Sequence, residues 1–224
     1  MRKLFEIGGL VAAAVLIAFG IAAIVMGVNG RSTVQSSLKQ ESIVATPDMT
    51  GAAIGAEAKK AGLPASIKLP TANIAGKTIS NGTLARDFAK YMRIHTLEAT
   101  GGLTYAQMGR FQALPTAPKS ATDGGGGTSD PKYAVTNAKT KQPVSNGRRD
   151  IWTTSLALQT ALNTSYMAEQ LSVFGIVVGV ALLLSGFGFA ILAIGGALRN
   201  PQTTLGFLTK PFVKGPKAPA VRTA

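Results

Sequence analysis

Residues 7–28 read IGGLVAAAVLIAFGIAAIVMGV, a run of 22 residues without a charge. A second run, residues 171–198, reads LSVFGIVVGVALLLSGFGFAILAIGGAL and contains 28 residues. A helix rises about 1.5 Å per residue, so about 20 apolar residues cross the roughly 30 Å hydrocarbon layer of a bilayer. Both runs are therefore long enough to span a membrane. They predict an all-α membrane protein with two transmembrane helices, residues 7–28 and residues 173–198.

Two other structures would explain such runs. A buried core helix rarely stays apolar on every face for so long. A cleaved signal peptide would explain Arg2 and Lys3, but its apolar core usually spans only about 7–15 residues. Residues 26–30 read MGVNG and lack the small-residue pattern of a cleavage site. We expect both runs to remain in the protein as membrane anchors.

The charges that flank the spans predict their orientation, because cytoplasmic flanks are enriched in Lys and Arg. The amino-terminal residues 1–6 carry Arg2 and Lys3, and the tail, residues 199–224, carries five basic residues and no acidic residue. We expect a plasma-membrane protein with both termini in the cytoplasm and the intervening segment outside. The basic tail is expected either to be an ordinary cytoplasmic flank or to contact anionic lipid headgroups.

The formal charge of +13 does not indicate a nucleic-acid-binding protein. The basic residues are dispersed, and no recognition motif or dense basic face with aromatic residues accompanies them. The expected partners are membrane lipids, together with a protein partner or further copies of the chain, and no nucleic acid. The chain contains no Cys, so disulfides cannot stabilise the external segment.

Residues 29–112 predict an extracytoplasmic helical region. Residues 31–46 contain neither Gly nor Pro and would extend the first span outward. A short helix near residues 50–61 and a longer one from Ser80 or Asn81 to Gly101 would form a small helical cap. Residues 150–172 would form an external helix continuous with the second span, so the two extended helices make a helical hairpin. This external helix carries an apolar stripe that needs a partner: Ile151, Leu158, Leu162 and Tyr166.

Residues 113–149 differ from the rest of the external segment in composition. They are rich in Gly, Pro, Ser, Thr, Asn and Lys and include the run GGGG at residues 124–127. Such a composition buries too little apolar surface to offset the entropy of ordering the chain. The sequence therefore predicts a long flexible loop.

Small residues in the two spans are candidates for helix packing, because they allow membrane helices to approach each other closely. The contact would close the hairpin within one chain or join neighbouring chains, and the sequence leaves both arrangements open. The candidates are Gly20, Ala23, Gly27, Gly175, Gly179 and Gly186.

The sequence contains no recognisable chemical motif. His95 is the single histidine and no Cys is present, whereas metal sites usually collect several such ligands. No Gly-Lys-Ser/Thr follows the GGGG run, and no G-x-S-x-G motif occurs. We expect no catalytic residue, no cofactor and no metal. One aromatic group remains as a candidate for an external contact or pocket: Phe88, Tyr91, Tyr105 and Phe111.

Several short stretches resemble a family of two-span actinobacterial membrane proteins of unknown function. They are residues 36–41 (SSLKQE), 46–50 (TPDMT), 91–102 (YMRIHTLEATGG), 120–127 (SATDGGGG) and 130–133 (DPKY). Members of that family are sometimes labelled aromatic ring-opening dioxygenases. A mononuclear iron oxygenase site typically uses two histidines and a carboxylate, and this chain has one histidine. The resemblance carries no functional residues over to this chain.

These observations favour a non-enzymatic envelope protein, either a scaffold or an accessory subunit, that binds a partner through its extracytoplasmic helices. The alternative is a membrane-anchored sensor or small-ligand binder that signals to the basic tail. The two hypotheses differ in one structural expectation, because the second requires a defined pocket at the aromatic group.

Overall fold

A computed structural model of the protein describes residues 2–195. Four α-helices dominate it: α1 (Arg2–Gln40), α2 (Gly51–Lys60), α3 (Gly82–Ala99) and α4 (Gly147–Ile194). Two short antiparallel strands, β1 (Phe111–Gln112) and β2 (Gly127–Thr128), are the strands of the described part. The predicted all-α class is confirmed. The basic tail and residues 196–198 of the second predicted span lie outside the described residues.

Helices α1 and α4 are each long and apolar enough to cross a membrane. In each helix, only 17% of the most apolar 18-residue stretch is buried. Their large side chains are exposed, for example Phe19 at 67%, Leu184 at 68% and Ile191 at 70%. A core helix would bury such side chains, so this exposure indicates membrane association.

The chain divides into two compact units. The first unit, here called the helix pair, consists of residues 2–26 and 175–195 of the described chain. The second unit, here called the helical module, consists of Gly27–Phe174.

Glycines bring the two backbones of the helix pair into contact. A Cβ atom on Gly20 would lie 2.8 Å from the carbonyl oxygen of Gly179, and one on Gly179 would lie 2.7 Å from the carbonyl oxygen of Gly20. A Cβ on Gly186 would lie 2.7 Å from Cγ1 of Ile17. Three of the six predicted packing residues therefore lie at a close helix–helix contact within one chain.

The other three packing candidates are buried to different degrees. Ala23 and Gly175 are half-buried, and Gly27 is buried within the helical module. The sequence did not single out Gly30, where a Cβ would lie 2.7 Å from Oγ of Ser172. The close approach of α1 to α4 thus also occurs inside the module.

Helix α1 ends earlier than the sequence suggested. It was expected to continue to Thr46, but it stops at Gln40, and Ser42 adopts a positive φ of 51°. The following backbone pairs with residues near Thr78: the N–H of Ala45 donates to the carbonyl of Lys77, and the N–H of Ile79 donates to the carbonyl of Ile43. The expectation for residues 41–46 is therefore wrong, because long-range pairing outweighs helix propensity there.

The two cap helices begin where the sequence predicted. Oγ1 of Thr50 accepts a hydrogen bond from the N–H of Ala53 at 3.2 Å, and Oδ1 of Asn81 accepts one from the N–H of Leu84 at 2.9 Å. Gly101 and Gly102 have positive φ values and end α3. Local capping chemistry therefore sets the start of α2 and both ends of α3.

The core of the helical module lies between α2, α3, α4 and the outer part of α1. Ile54, Ile74, Tyr91 and Ile94 are almost completely buried, and Leu162 of α4 packs with them. A smaller cluster joins Leu97, Met108 and Trp152.

The Gly- and Pro-rich segment is ordered, which corrects the expectation of a flexible loop at residues 113–149. Strand β1 pairs with β2, and isolated bridges join Ala113 to Ala134 and Thr136 to Pro143. The segment is held by backbone hydrogen bonds and by one carboxylate rather than by an apolar core. Amino-acid composition reflects how much apolar surface a segment can bury and does not reveal order that comes from backbone hydrogen bonds.

Candidate functional site

The four aromatic residues of the predicted pocket do not form one. Phe88 and Tyr91 are buried in the core, and Tyr91 has 0% of its surface exposed. The hydroxyl of Tyr91 donates to the carbonyl of Ala72 at 2.5 Å, and burial, with the nearby charge of Asp87, raises the pKa of this phenol.

The other two aromatic residues of that set lie elsewhere. Tyr105 is 45% exposed and lies under the guanidinium of Arg149, 3.9 Å from the ring centroid. Phe111 belongs to β1 and pairs with Thr128. A fully buried Tyr91 cannot line an open pocket, so the prediction of a pocket shared by the four side chains is wrong.

An open groove runs instead between α3 and α4. Its volume is about 550 Å³. Ile151, at one edge, is 47% exposed although its stripe partner Leu162 is buried at 2%. The lining is largely apolar and includes a few polar side chains. The lining residues are Met92, His95, Thr96 and Ala99 from α3, and Asp150, Ile151, Thr154, Ser155 and Leu158 from α4.

Buried hydroxyl groups fix the two walls of the groove against each other. Oγ1 of Thr96 and Oγ of Ser155 form a short hydrogen bond, and Nε2 of Gln159 donates to Oγ of Ser155 at 3.0 Å. Thr96 and Ser155 are 4% and 7% exposed. A hydrogen bond between buried groups is costly to break, so the groove is a preformed feature of the module.

His95, which borders the groove, lies between two carboxylates. Nε2 of His95 is 3.2 Å from Oδ2 of Asp48, and Nδ1 is 3.6 Å from Oε2 of Glu57. One donor atom from each residue lies within 4.8 Å of the other two. Metal sites that are visible in sequence usually contain several His or Cys residues, whereas this group has one histidine and its members come from separate elements of the fold.

A second carboxylate site joins three helices. Glu169 of α4 is 4% exposed and accepts hydrogen bonds from Nε of Arg31 at 3.1 Å, Nε2 of Gln35 at 2.9 Å and the N–H of Gly82 at 2.5 Å. Burial opposes ionisation of Glu169, but these hydrogen bonds and the charge of Arg31 outweigh it and hold its pKa below the ordinary value.

Close backbone packing accompanies this site. A Cβ on Gly82 would lie 2.8 Å from Cα of Tyr166, so only glycine allows the amino end of α3 to approach α4 this closely. Arg31 and Glu169 are 138 positions apart in the chain, and no local sequence signal links them. We interpret this site as structural, because its donors and acceptors are matched with one another.

A third carboxylate organises the Gly-rich segment. Asp123 accepts hydrogen bonds from the N–H groups of Gly109 at 2.6 Å, Gly125 at 2.8 Å and Gly127 at 2.9 Å. Burial opposes its ionisation, but these bonds and the charge of Arg148 outweigh that effect and lower its pKa. The Asp-Gly sequence at residues 123–124 is a local signal that could have suggested a turn there.

Comparisons of the chain with protein-family models, with curated proteins and with solved structures give no significant match. The resemblance to two-span actinobacterial proteins therefore stays a prediction, and the site must be interpreted from its own geometry.

Proposed function

We propose that this protein is a non-enzymatic scaffold or accessory subunit of the cell envelope, and that its helical module binds a partner protein in the groove between α3 and α4. The observation that carries this proposal is the unpartnered edge of the groove. Ile151 belongs to an apolar stripe of which Leu162 is buried in the core, yet Ile151 is 47% exposed beside a preformed groove. An exposed apolar side chain at a rigid groove is typical of a protein contact.

The occupant that suits this groove is an apolar helical segment with a neighbouring Lys or Arg. The apolar side chains Met92, Ile151 and Leu158 would receive the apolar face of such a segment. Asp150 is the acidic residue among the lining residues and would pair with the basic side chain. Membrane lipids would surround the exposed apolar faces of α1 and α4.

The proposed orientation places both termini in the cytoplasm of the cell and the helical module outside the plasma membrane. Its support is the distribution of charge, since residues 199–224 carry five basic residues and no acidic residue. The chain has no Cys, so a cysteine introduced at Lys139 would be the single thiol of the protein. We expect a membrane-impermeant maleimide to label Lys139→Cys in intact cells, and to label Thr223→Cys only after lysis.

The buried hydroxyl groups of the groove, those of Thr96 and Ser155, are engaged in hydrogen bonds within the module, which suits a binding surface. Among residues 2–195, no serine or threonine hydroxyl makes a hydrogen bond with His95. Ser155, which lines the groove, is bonded to Thr96 and Gln159. Nucleophilic catalysis requires a base within hydrogen-bond reach of the attacking group.

A second candidate function has support from the size of the groove. Small-molecule pockets usually enclose about 300–1,000 Å³ and combine apolar walls with a few polar groups. The groove has a volume of about 550 Å³ and includes His95, Asp150 and Thr154. A sensor that binds a small apolar ligand in this groove, rather than at the aromatic group where the sequence placed its pocket, is therefore the alternative.

Photocrosslinking in native membranes tests the partner-protein proposal. A photoreactive phenylalanine derivative would replace Ile151 at the groove, and Leu156 in the control chain. The control is well matched, because Ile151 is 47% and Leu156 is 48% exposed on the same helix. We expect position 151 to give one discrete adduct with a different protein, identified by mass spectrometry, and position 156 not to give it.

Two results would contradict the proposal. Equal adduct patterns at the two positions would show that the groove has no special role. Adducts at position 151 with a small molecule alone would favour the sensor alternative.

A further inference from the structure

We propose that Asp48, Glu57 and His95 form a binding site for a divalent transition-metal ion of the Zn²⁺ type. His95 also borders the groove, but Asp48 and Glu57 do not line it, and a metal ion is a different class of ligand from a partner protein, so the two proposals are tested separately.

The distances between the three side chains suit a single ion. Zn²⁺ binds nitrogen and oxygen ligands at about 2.0–2.2 Å, so two ligands of one ion are at most roughly 4.3 Å apart. Nε2 of His95 is already 3.2 Å from Oδ2 of Asp48. One donor atom of each residue lies within 4.8 Å of the other two. Oε2 of Glu57 faces the other ring nitrogen, Nδ1, at 3.6 Å, so the side chain of Glu57 would have to rotate to reach an ion bound at Nε2.

The backbone positions of the three residues are fixed by the core. Asp48 precedes Met49, which is 2% exposed, and Glu57 follows the fully buried Ile54 by one turn of α2. His95 follows Ile94, which is 2% exposed, on α3. A metal site needs such preorganisation, because each ligand that must be ordered on binding reduces the affinity.

One nitrogen atom of His95 lacks a satisfactory partner within the protein. Nε2 is buried and makes no hydrogen bond to any described residue, although Asp48 is close to it. A buried polar atom without a partner is costly. The lone pair of a neutral imidazole directed at a metal ion would satisfy it, with two carboxylates supplying the charge that balances a divalent cation.

The chemistry of the donors selects the class of ion. Imidazole nitrogen suits Zn²⁺ and its transition-metal neighbours, whereas Ca²⁺ and Mg²⁺ prefer oxygen ligands alone. The side chains of Asp48 and Glu57 are each 31% exposed, so water can complete the coordination on the carboxylate side of the ion, while Nε2 of His95 is buried. The ion would fasten α2 and the turn before it to α3.

The test is a binding titration on the full-length protein in detergent, without a histidine tag and after treatment with EDTA. Zn²⁺ binding is measured by calorimetry, and the visible spectrum of Co²⁺ reports the ligand set independently. We expect one equivalent of Zn²⁺, a rise in the melting temperature, and Co²⁺ bands that disappear when Zn²⁺ is added.

Three ligand variants and one control complete the experiment. Asp48→Asn, Glu57→Gln and His95→Gln should each weaken binding by roughly tenfold or more, since even the partners of ligands contribute that much. Glu98→Gln is the matched control, because Glu98 is an exposed carboxylate on α3 one turn from His95. This control should bind Zn²⁺ as the unchanged protein does.

An ion pair without metal is the competing interpretation of the same geometry. It predicts no Zn²⁺ binding by the unchanged protein, and that result would overturn the proposal. Binding that is equal in the unchanged protein and Glu57→Gln would also overturn it, because the ion would then sit elsewhere. Glu57→Gln preserves the size of the side chain, so it decides the question even if a His95 variant fails to fold.

Discussion

The helix pair and the helical module are held together in opposite ways. In the helix pair, the contact is made where side chains are missing, at Gly20, Gly179 and Gly186. In the module, the contact is made by large side chains such as Tyr91 and Ile54, which are fully buried.

This difference follows from the two solvents. Lipid tails are as apolar as leucine, so membrane helices gain little by burying apolar side chains and associate by close backbone approach. In water, the burial of apolar surface is the main favourable term. A smaller side chain should therefore destabilise the module, whereas a larger side chain should destabilise the helix pair.

The largest effect is expected from removing volume in the module core. Ile54→Ala should lower the free energy of unfolding of the module by about 2–5 kcal/mol, because it leaves a cavity at a site with 0% exposure. The measurement is hydrogen exchange of the module amides by mass spectrometry. Val44→Ala is the control, since Val44 is 55% exposed and its loss should change the free energy by less than about 0.5 kcal/mol. Similar effects of the two variants would contradict the assigned core.

A smaller and more local effect is expected where the module lacks an apolar core. Asp123→Ala removes the acceptor for the N–H groups of Gly109, Gly125 and Gly127. We expect a local loss of about 2–3 kcal/mol, seen as faster hydrogen exchange confined to the Gly-rich segment.

Asp130→Ala is the comparison variant for that experiment. Asp130 accepts one backbone bond, from the N–H of Lys132 at 2.9 Å, and should cost about 1 kcal/mol or less. If Asp123→Ala instead unfolds α3 and the apolar core as well, the Gly-rich segment is not a separate element of stability.

These two parts of the module also show what the sequence could predict. The cap at Asn81 and the glycines that end α3 are local signals, and the structure confirms them. The cap of α2 was expected from residues 46–48 and is instead Thr50. The apolar stripe of α4 correctly indicated packing at Leu158 and Leu162, because helical periodicity is itself a local property, but not at Ile151, which is exposed. The order of residues 113–149 depends on one carboxylate and distant backbone groups, which leave almost no trace in composition.

The candidate sites also depend on long-range contacts that the sequence does not show. The group of Asp48, Glu57 and His95 assembles residues that are up to 47 positions apart, and its members look unremarkable in sequence. The aromatic residues looked conspicuous, but Phe88 and Tyr91 serve the core. Sequence spacing indicates which residues share a helix face and does not reveal which faces meet.

A larger side chain at the glycine contact should destabilise the helix pair, but by less than Ile54→Ala destabilises the module. Gly179→Leu places side-chain atoms against the backbone of Gly20 and should destabilise the pair by about 1–3 kcal/mol. The chain has no Cys, so spin labels at Phe19→Cys and Leu184→Cys can report the distance between the two helices in nanodiscs. We expect a longer and broader distance distribution.

Gly188→Leu is the matched control for this experiment, because a Cβ at Gly188 meets nothing within 4 Å. It should leave the distance distribution unchanged. An unchanged distribution in Gly179→Leu as well would show that the glycine contact does not hold the two helices together.

The smallest effect is expected at Glu169, which joins α1, α3 and α4 inside the module by charge and hydrogen bonds. Glu169→Gln keeps the shape but weakens the bonds from Arg31, Gln35 and Gly82, and should cost about 1–2 kcal/mol at neutral pH.

This stabilisation should depend on pH, because the pKa of Glu169 is lowered in the folded state. It is complete above the unfolded pKa of about 4.3 and is lost as the pH falls through the lower folded pKa. Thermal unfolding at pH 7 and at about pH 3 should therefore show a gap between the unchanged protein and Glu169→Gln that narrows in acid. A gap that stays constant with pH would contradict this account, because Glu169→Gln changes the charge of the side chain and barely changes its shape.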